Sequence, residues 1–298
     1  MSNYKLIGIC AALGSAASWA VGSILFKKIG ESVSPFGMTL VKGVVSIVLL
    51  GVVLIFVGYD RIATESLLLL ILSGILGIAI ADTLFFAALQ DLGPIVLVVY
   101  LMVGQLLTAL LGILFLQEIP SFTEWIGIVL TVAGVCSVLW TKLSGDMDVK
   151  HSGLRGVILG GLSMMCMSGS TIIAKPALMN VSTLMATFIR MVSGTIGVII
   201  FGTMSCRLVT WVGPVRNMKM ISRFFISVCI ITFGGFWLSL VAIKHLDVAV
   251  ATTLSATEPL LIVPLAIIVL KERVSFGQIA GTVLATSGIF LLIMQNKP

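Results

Sequence analysis

Long apolar stretches alternate with short polar breaks along the whole chain, and they determine its predicted architecture. A transmembrane helix needs about 20 apolar residues to cross roughly 30 Å of hydrocarbon. Cutting the sequence at charges, glycine or proline breaks and polar clusters gives ten such stretches: residues 5–26, 33–57, 67–89, 94–116, 123–141, 153–174, 182–204, 222–243, 248–270 and 276–294. Backbone groups in lipid must bond within their own segment, so we predict ten helices. A β-barrel would show short alternating strands instead.

The polar breaks are too short to hold a soluble domain, the longest being residues 142–152 and 205–221. Residues 1–26 also resemble a signal peptide, because Lys5 precedes an apolar run with small residues at 14–18. An equivalent segment recurs in the middle of the chain, where a signal peptide is excluded. We therefore interpret residues 1–26 as the first transmembrane helix.

The second half of the chain repeats the first. A shift of 148 residues aligns Lys27 with Lys175, Ser34 with Ser182, Thr39 with Thr187 and Lys42 with Arg190. A shift of 154 residues aligns Glu118 with Glu272, Ser121 with Ser275, Phe122 with Phe276, Gly127 with Gly281 and Gly134 with Gly288. We therefore predict two five-helix units, residues 1–145 and 146–298.

Local signals agree with this alignment. Ser121 with Glu124, and Ser275 with Gln278, predict capping boxes that open the last helix of each unit. The aligned glycines on these helices are seven residues apart and share one helix face, which favours close helix packing.

An odd number of helices per unit determines the topology. The second unit of five must enter the membrane in the opposite sense to the first. Inverted repeats are typical of secondary transporters, whose site lies near the bilayer midplane between the repeats. The predicted fold class is thus an all-α integral membrane protein with ten transmembrane helices as two inverted five-helix repeats. The step from this fold to transport is an analogy that the site residues must support.

Composition agrees with a membrane location. Of 298 residues, 59% are hydrophobic and 10% charged, and the mean hydropathy is +1.20, whereas soluble domains carry about 25% charged residues. The net charge is +6, but the lysines and arginines stand at the ends of apolar stretches, so we expect no nucleic-acid partner. The five cysteines form no CxxC pair and predict neither a disulfide framework nor a metal site.

Four ionisable residues stand out because they lie away from the ends of predicted helices, and a charge at the bilayer centre costs about 2.5–3.5 kcal/mol. They are Lys42, Asp82, Arg190 and Glu258. Glu258 lies in the middle of the ninth helix beside Pro259, which frees a backbone carbonyl. This carboxylate is a candidate cation or proton site, and the alternative is a fixed ion pair, for instance with Arg190. The two acidic and two basic groups are able to neutralise one another.

Other residues have both a structural and a functional interpretation. Asp82 faces a cavity or bonds to a neighbouring helix, and the long stems of Lys42 and Arg190 favour a structural or headgroup role. Trp19 is a packing residue or a cavity wall, and Gln105 bonds to a substrate or to another helix. The candidate substrate-binding residues are therefore Glu258, Asp82, Trp19, Gln105, Arg190 and Lys42.

Lys27 and Lys175 end the first helix of each unit. A cation at that position complements the helix dipole and needs no further purpose. The alternative is a role at a substrate gate.

The chain resembles the EamA-type branch of the drug/metabolite transporter superfamily, and residues of both units carry the resemblance. They are Trp19 with Lys27, Pro35 with Lys42, Lys175 with Arg190, and Glu258-Pro259-Leu260 followed by Ala266 and Leu270-Lys271-Glu272-Arg273. The resemblance implies export or uptake of small metabolites, with helices 1, 3, 4, 6, 8 and 9 around a central cavity. The chain departs from the family pattern at Gly104-Gln105, at Lys42 and at Met167, which bears on the substrate class.

These observations predict a secondary transporter that moves amino acids, metabolites or drugs by alternating access, with proton coupling left open. No phosphate-binding loop is present, and we expect no catalytic activity, cofactor or metal. The expected partners are a small-molecule substrate and membrane lipid, with the protein as a monomer or homodimer in the inner cell membrane. The alternative is a non-transporting membrane protein, a channel or a partner subunit. Lysine and arginine in the loops favour termini outside the cell, whereas the resemblance implies cytoplasmic termini.

Overall fold

Helices account for nearly all of the structure, a computed structural model that describes residues 3–30, 32–59, 61–146, 154–212, 218–255, 257–258, 260–261 and 276–294. The α-helices are α1 Asn3–Gly30, α2 Pro35–Val57, α3 Thr64–Gly74, α4 Asp82–Leu116, α5 Phe122–Asp146, α6 Leu154–Leu178, α7 Thr183–Met204, α8 Leu208–Val212, α9 Met218–Cys229, α10 Leu238–His245, α11 Val248–Ser255 and α12 Phe276–Met294. Two π-helical segments, Ile75–Ala81 and Ile230–Trp237, continue α3 into α4 and α9 into α10. Within these described ranges there is no β-strand.

Six described segments are long and apolar enough to cross a membrane. They are Tyr4–Gly22, Pro35–Val57, Thr64–Leu92, Leu154–Leu178, Thr183–Met204 and Ile221–His245. The predicted fourth and fifth helices contain shorter apolar segments, and the predicted ninth is described only in part. The all-helical membrane class is therefore confirmed, and the count of ten stays a prediction.

The outward surface of the bundle is apolar. Along α2, the exposed Val44, Val48, Val52 and Ile55 recur every three or four residues and so form one face of the helix. The opposite face of α2 is buried and carries polar groups, including Lys42. A helix with an apolar outside and a polar inside is suited to lipid around it and a polar interior between helices.

Serine caps begin the second helix of each unit at equivalent positions. The Ser34 hydroxyl accepts the Gly37 N–H at 3.2 Å, and the Ser182 hydroxyl accepts the Met185 N–H at 3.3 Å. These bonds satisfy donors that have no partner inside the helix. The repeat read from the sequence therefore corresponds to repeated local structure.

The capping box predicted for α5 is confirmed. The Ser121 N–H donates to Glu124 Oε2 at 2.7 Å, and the Glu124 N–H donates to the Ser121 hydroxyl at 3.4 Å. Its predicted counterpart before α12 requires Ser275, which lies outside the described residues.

The last helices of the two units, α5 and α12, pack against each other through glycine. Gly134 lies against the backbone of Ala285, and Gly288 lies against the backbone of Thr131. The order of contacts reverses from one helix to the other, so the pair is antiparallel. The 154-residue shift converts one contact into the other, which gives the pair a pseudo-two-fold axis.

The second helices of the units show the same relation. Gly43 of α2 lies against Thr195 of α7, and Gly51 of α2 lies against Phe188 of α7. The contacts again run in opposite order along the two helices. Equivalent helices therefore run antiparallel, as an inverted repeat requires.

The chain reverses direction between the predicted third and fourth helices, within the range Asp82–Leu116 of α4. Three hydrogen-bonded contacts with α6 reveal the reversal: Ser73 with Ser170, Ala81 with Ser163, and Thr108 with Ser168. Positions 73–81 run antiparallel to α6, and the segment around residue 108 returns alongside it. The two predicted helices therefore form a hairpin.

Inversion predicts that the loops after the first helix of each unit lie on opposite membrane faces. We expect cysteines at the exposed positions Ser32 and Asn180, in a chain whose five native cysteines are replaced, to be labelled from opposite sides. The measurement is labelling by a membrane-impermeant maleimide in vesicles of known orientation. Labelling of both positions from the same side would refute the inverted repeat.

Candidate functional site

A cavity of about 110 Å³ lies at the centre of the bundle, between the two units. This volume is well above the roughly 10–15 Å³ that one water requires. Its polar lining consists of Ser15, Trp19, Gln105, Thr108, Ser168, Thr171, Arg190, Ser239, Thr252, Ser255 and Glu258. The lining comes from the helices that the resemblance implies, with Arg190 of α7 in addition.

Glu258 lies just beyond α11 and is 8% exposed. Its Oε1 atom is buried and has no hydrogen-bond partner. Among the ion pairs of the described residues, none joins Glu258 to Arg190. The interpretation of Glu258 as half of a fixed pair with Arg190 is therefore wrong.

Arg190 points into the protein and not toward the lipid headgroups. Its Nη2 donates to the Ser170 hydroxyl at 3.0 Å, while its Nε is buried without a partner. The absence of a side chain at Gly77 leaves room for the Arg190 guanidinium, because a Cβ at position 77 would lie only 3.1 Å from Nη2. Of the structural or headgroup role that the sequence favoured for Arg190, this placement contradicts only the headgroup alternative, and the guanidinium is able to bind an anionic group inside the cavity.

Lys42 and Asp82 form an ion pair in which each side chain is 1% exposed. The Lys42 Nζ atom lies 4.5 Å from the centroid of the Phe236 ring and 5.6 Å from that of Phe86. Neither charged residue lines the cavity, whereas Phe236, whose ring contacts the Lys42 ammonium, does. Asp82 also interacts electrostatically with Arg190. Of the structural or headgroup role that the sequence favoured for Lys42, the structural alternative agrees with this pair, because the long stem of Lys42 ends at Asp82 inside the protein.

Aromatic rings form one wall of the cavity. The ring of Trp19 lies edge-on to Phe236 at 5.2 Å and to Phe85 at 6.3 Å between centroids. Such edge-to-face pairs favour a defined ring orientation. Trp19 is thus both a packing residue and a cavity wall, which joins the two interpretations that the sequence left open.

The π-helical segments occupy equivalent positions in the two units. Shifting Ile75–Ala81 by 154 residues covers 229–235, which overlaps Ile230–Trp237. Both segments reach the cavity, through Gly77 and Phe236. Single π-helical turns are frequent at functional sites because they alter the face that a helix presents. The pattern of hydrophobic residues in the sequence did not predict these π-helical segments.

Sequence reasoning missed the hydroxyl groups of the lining. The Thr108 hydroxyl donates to the Ser168 hydroxyl at 2.8 Å. On the second unit, Thr252 and Ser255 precede Glu258 at intervals of three residues and line the same cavity. That helical spacing toward a charged residue was a usable signal.

Parts of the predicted constellation lie outside the described residues. These are Pro259, Ala266 and the segment 270–273, together with the Lys27 side chain.

Comparisons with known proteins agree with the two-unit arrangement. None of the curated proteins compared with the chain matches it. Among solved structures, 28 chains match. One, a crystal structure described only as that of a protein, has a TM-score of 0.74 at 16% identity, covering 98% of this chain and 99% of that chain. At this identity the likeness concerns the fold alone.

The sequence model of the EamA-like transporter family matches residues 6–140 and again residues 154–294. The two matches cover most of the chain. The members of this family are membrane transporters of the drug/metabolite type and not enzymes. The chain therefore belongs to the EamA-like transporter family and contains two EamA units.

Proposed function

We propose that the protein is a secondary transporter that moves a small molecule across the cell membrane by alternating access, with the central cavity as its binding site. The observation that carries this proposal is that two residues lining the cavity, Glu258 and Arg190, each have a buried polar atom without a hydrogen-bond partner, Oε1 and Nε respectively. Buried polar atoms are generally hydrogen-bonded, so exceptions in a cavity favour a ligand that supplies the missing partner.

The charges of the lining suggest the substrate class. A carboxylate and a guanidinium in one small cavity are suited to a solute with both a cationic and an anionic group. The hydroxyl groups of Thr252 and Ser255, beside Glu258, offer further hydrogen bonds. The aromatic wall formed with Trp19 accepts an apolar side group. Among amino acids, metabolites and drugs, this combination favours small zwitterions.

The proposed energy source is an ion or solute gradient. The sequence has no phosphate-binding loop. Glu258 is the candidate to carry a proton or to release one when a cationic group binds, because it is the acidic residue that lines the cavity in the described part of the chain. Coupling through Glu258 predicts that Glu258→Gln abolishes accumulation driven by a gradient, while substrate exchange falls only by the amount that weaker binding of the cationic group explains.

The test uses purified protein in proteoliposomes and a panel of zwitterionic, cationic and anionic metabolites. We expect Glu258→Gln and Arg190→Gln each to lower the initial uptake rate at least about tenfold, because a hydrogen bond to a charged group contributes about 1.5–3 kcal/mol. A substrate analogue without the ammonium group should reduce the uptake rate of wild type much more than it reduces the uptake rate of the Glu258→Gln variant. An analogue without the carboxylate should likewise reduce the uptake rate of wild type much more than that of the Arg190→Gln variant.

Glu65→Gln is the matched control, because Glu65 is an exposed carboxylate on α3. Its uptake should equal that of wild type. Wild-type protein that moves no member of the panel, with or without a proton gradient, would contradict the proposal. Ion conduction in planar bilayers without a gradient requirement would favour a channel instead.

A further inference from the structure

Lys175, at the end of α6, joins three parts of the chain. Its Nζ atom forms an ion pair with Glu118 Oε1 at 2.9 Å and donates to the Leu246 carbonyl at 2.7 Å. The second carboxylate oxygen of Glu118 accepts the N–H of Val248 at 2.6 Å. The side chains of Lys175 and Glu118 are only 12% and 17% exposed, respectively. This network links the segment after α4 to the end of α6 and to the connection between α10 and α11.

The network lies at one end of the cavity. Thr171 and Ile243 line the cavity, Lys175 lies about one turn, roughly 6 Å, further along α6, and Leu246 directly follows the end of α10, three residues after Ile243. On α11, Ala251 lines the cavity about one turn after Val248. The same end contains an apolar cluster that includes Leu178, Val181, Leu246 and Val248. The polar network and this cluster therefore cover the cavity together.

We propose that Lys175, Glu118 and the α10–α11 connection form a latch that holds one end of the cavity shut. In alternating access one repeat moves against the other around the central site, so breaking the latch favours the state open at that end. This inference rests on the alternating access proposed above.

The test measures access to the cavity and not transport. Thr171→Cys, in a chain without its five native cysteines, is labelled with a membrane-impermeant maleimide from each face. We expect Glu118→Gln and Lys175→Gln to raise the labelling rate from the Lys175 face at least about fivefold, since hydrogen bonds to charged groups shift a two-state balance by such factors. Labelling from the opposite face should fall.

Two variants separate a latch from a general structural role. Lys175→Arg retains a cation and donors for both acceptors and should label like the parent protein. Val248→Pro removes the N–H at the first position of α11, where proline is tolerated, and should give a smaller rise from the Lys175 face. The control is Glu65→Gln, since Glu65 starts α3, which runs antiparallel to α6 and so begins at the same membrane face.

Unchanged labelling in both Glu118→Gln and Lys175→Gln would overturn the latch, as would an equal rise from both faces. If labelling shifts as expected while no solute is moved, the latch stands and the transport proposal fails. If solutes are moved and labelling stays constant, the latch alone fails.

Discussion

Asp82→Asn is expected to lower the free energy of unfolding by about 3–5 kcal/mol, the usual cost of leaving one member of a buried ion pair without its partner. Asparagine has nearly the same volume as aspartate, so the loss of charge dominates. The Lys42 ammonium would remain 1% exposed, with the rings of Phe86 and Phe236 as neighbours. Arg190 would lose the same nearby anion.

Lys42→Met should cost less than Asp82→Asn, because Asp82 keeps Arg190 as a neighbouring cation. The double variant Lys42→Met/Asp82→Asn should recover part of the loss, since no unpaired ammonium remains. The measurement is unfolding of purified protein in detergent. Arg155→Gln is the control, because its pair with Asp91 is exposed at 77% and 28% and should contribute at most about 1 kcal/mol. Equal effects of Asp82→Asn and Arg155→Gln would contradict the assigned role of Asp82.

Gly134→Leu is expected to separate α5 from α12 and to destabilise the protein by at least about 3 kcal/mol, the upper range for overpacking. A Cβ at Gly134 would lie 2.6 Å from the Gly281 carbonyl oxygen and closer still to the backbone of Ala285. Backbone atoms within a helix cannot move aside as a flexible side chain can. The helices must therefore move apart and lose their contact along its length.

Repeat symmetry provides a second variant for this contact, and the chain offers a control. Gly288→Leu should have an effect similar to that of Gly134→Leu, because a Cβ at Gly288 would lie 2.6 Å from the Gly127 carbonyl oxygen. Gly161→Leu in α6 should be nearly neutral, since no atom lies within 4 Å of a Cβ there. Thermal unfolding in detergent compares the three. Destabilisation by Gly161→Leu as large as by Gly134→Leu would show that the loss is not specific to the α5–α12 contact.

The site was predicted in part, and particular residues show why. Trp19, Gln105, Arg190 and Glu258 were singled out and line the cavity, because charged, amide and aromatic groups stand out in an apolar chain. The hydroxyl groups were missed, because serine and threonine are frequent in membrane helices and bond to their own backbone. Ser15 lines the cavity and donates to the Gly235 carbonyl at 3.0 Å, a contact between residues far apart in sequence.

The sequence also did not predict which of the buried charged residues pair with one another. The sequence offered two cations and two carboxylates, and it favoured no pairing by distance along the chain. Lys42 pairs with Asp82, whereas Glu258 keeps an unpartnered oxygen. This outcome depends on how far each helix is rotated about its own axis. The π-helical segment Ile75–Ala81 ends immediately before Asp82 and changes that rotation.

The sequence by itself determined the membrane class, the all-helical fold and the presence of two repeated units. Hydrophobic length, serine caps and the two register shifts are local or periodic properties, which can be read without knowing any contact between helices. Only the tertiary structure decided which polar groups meet inside the bundle. Helix rotation and crossing arise from the packing of many side chains at once, as Gly77 beside Arg190 and Gly134 against Ala285 illustrate. A single substitution at such a contact therefore alters the site while the pattern of apolar stretches stays the same.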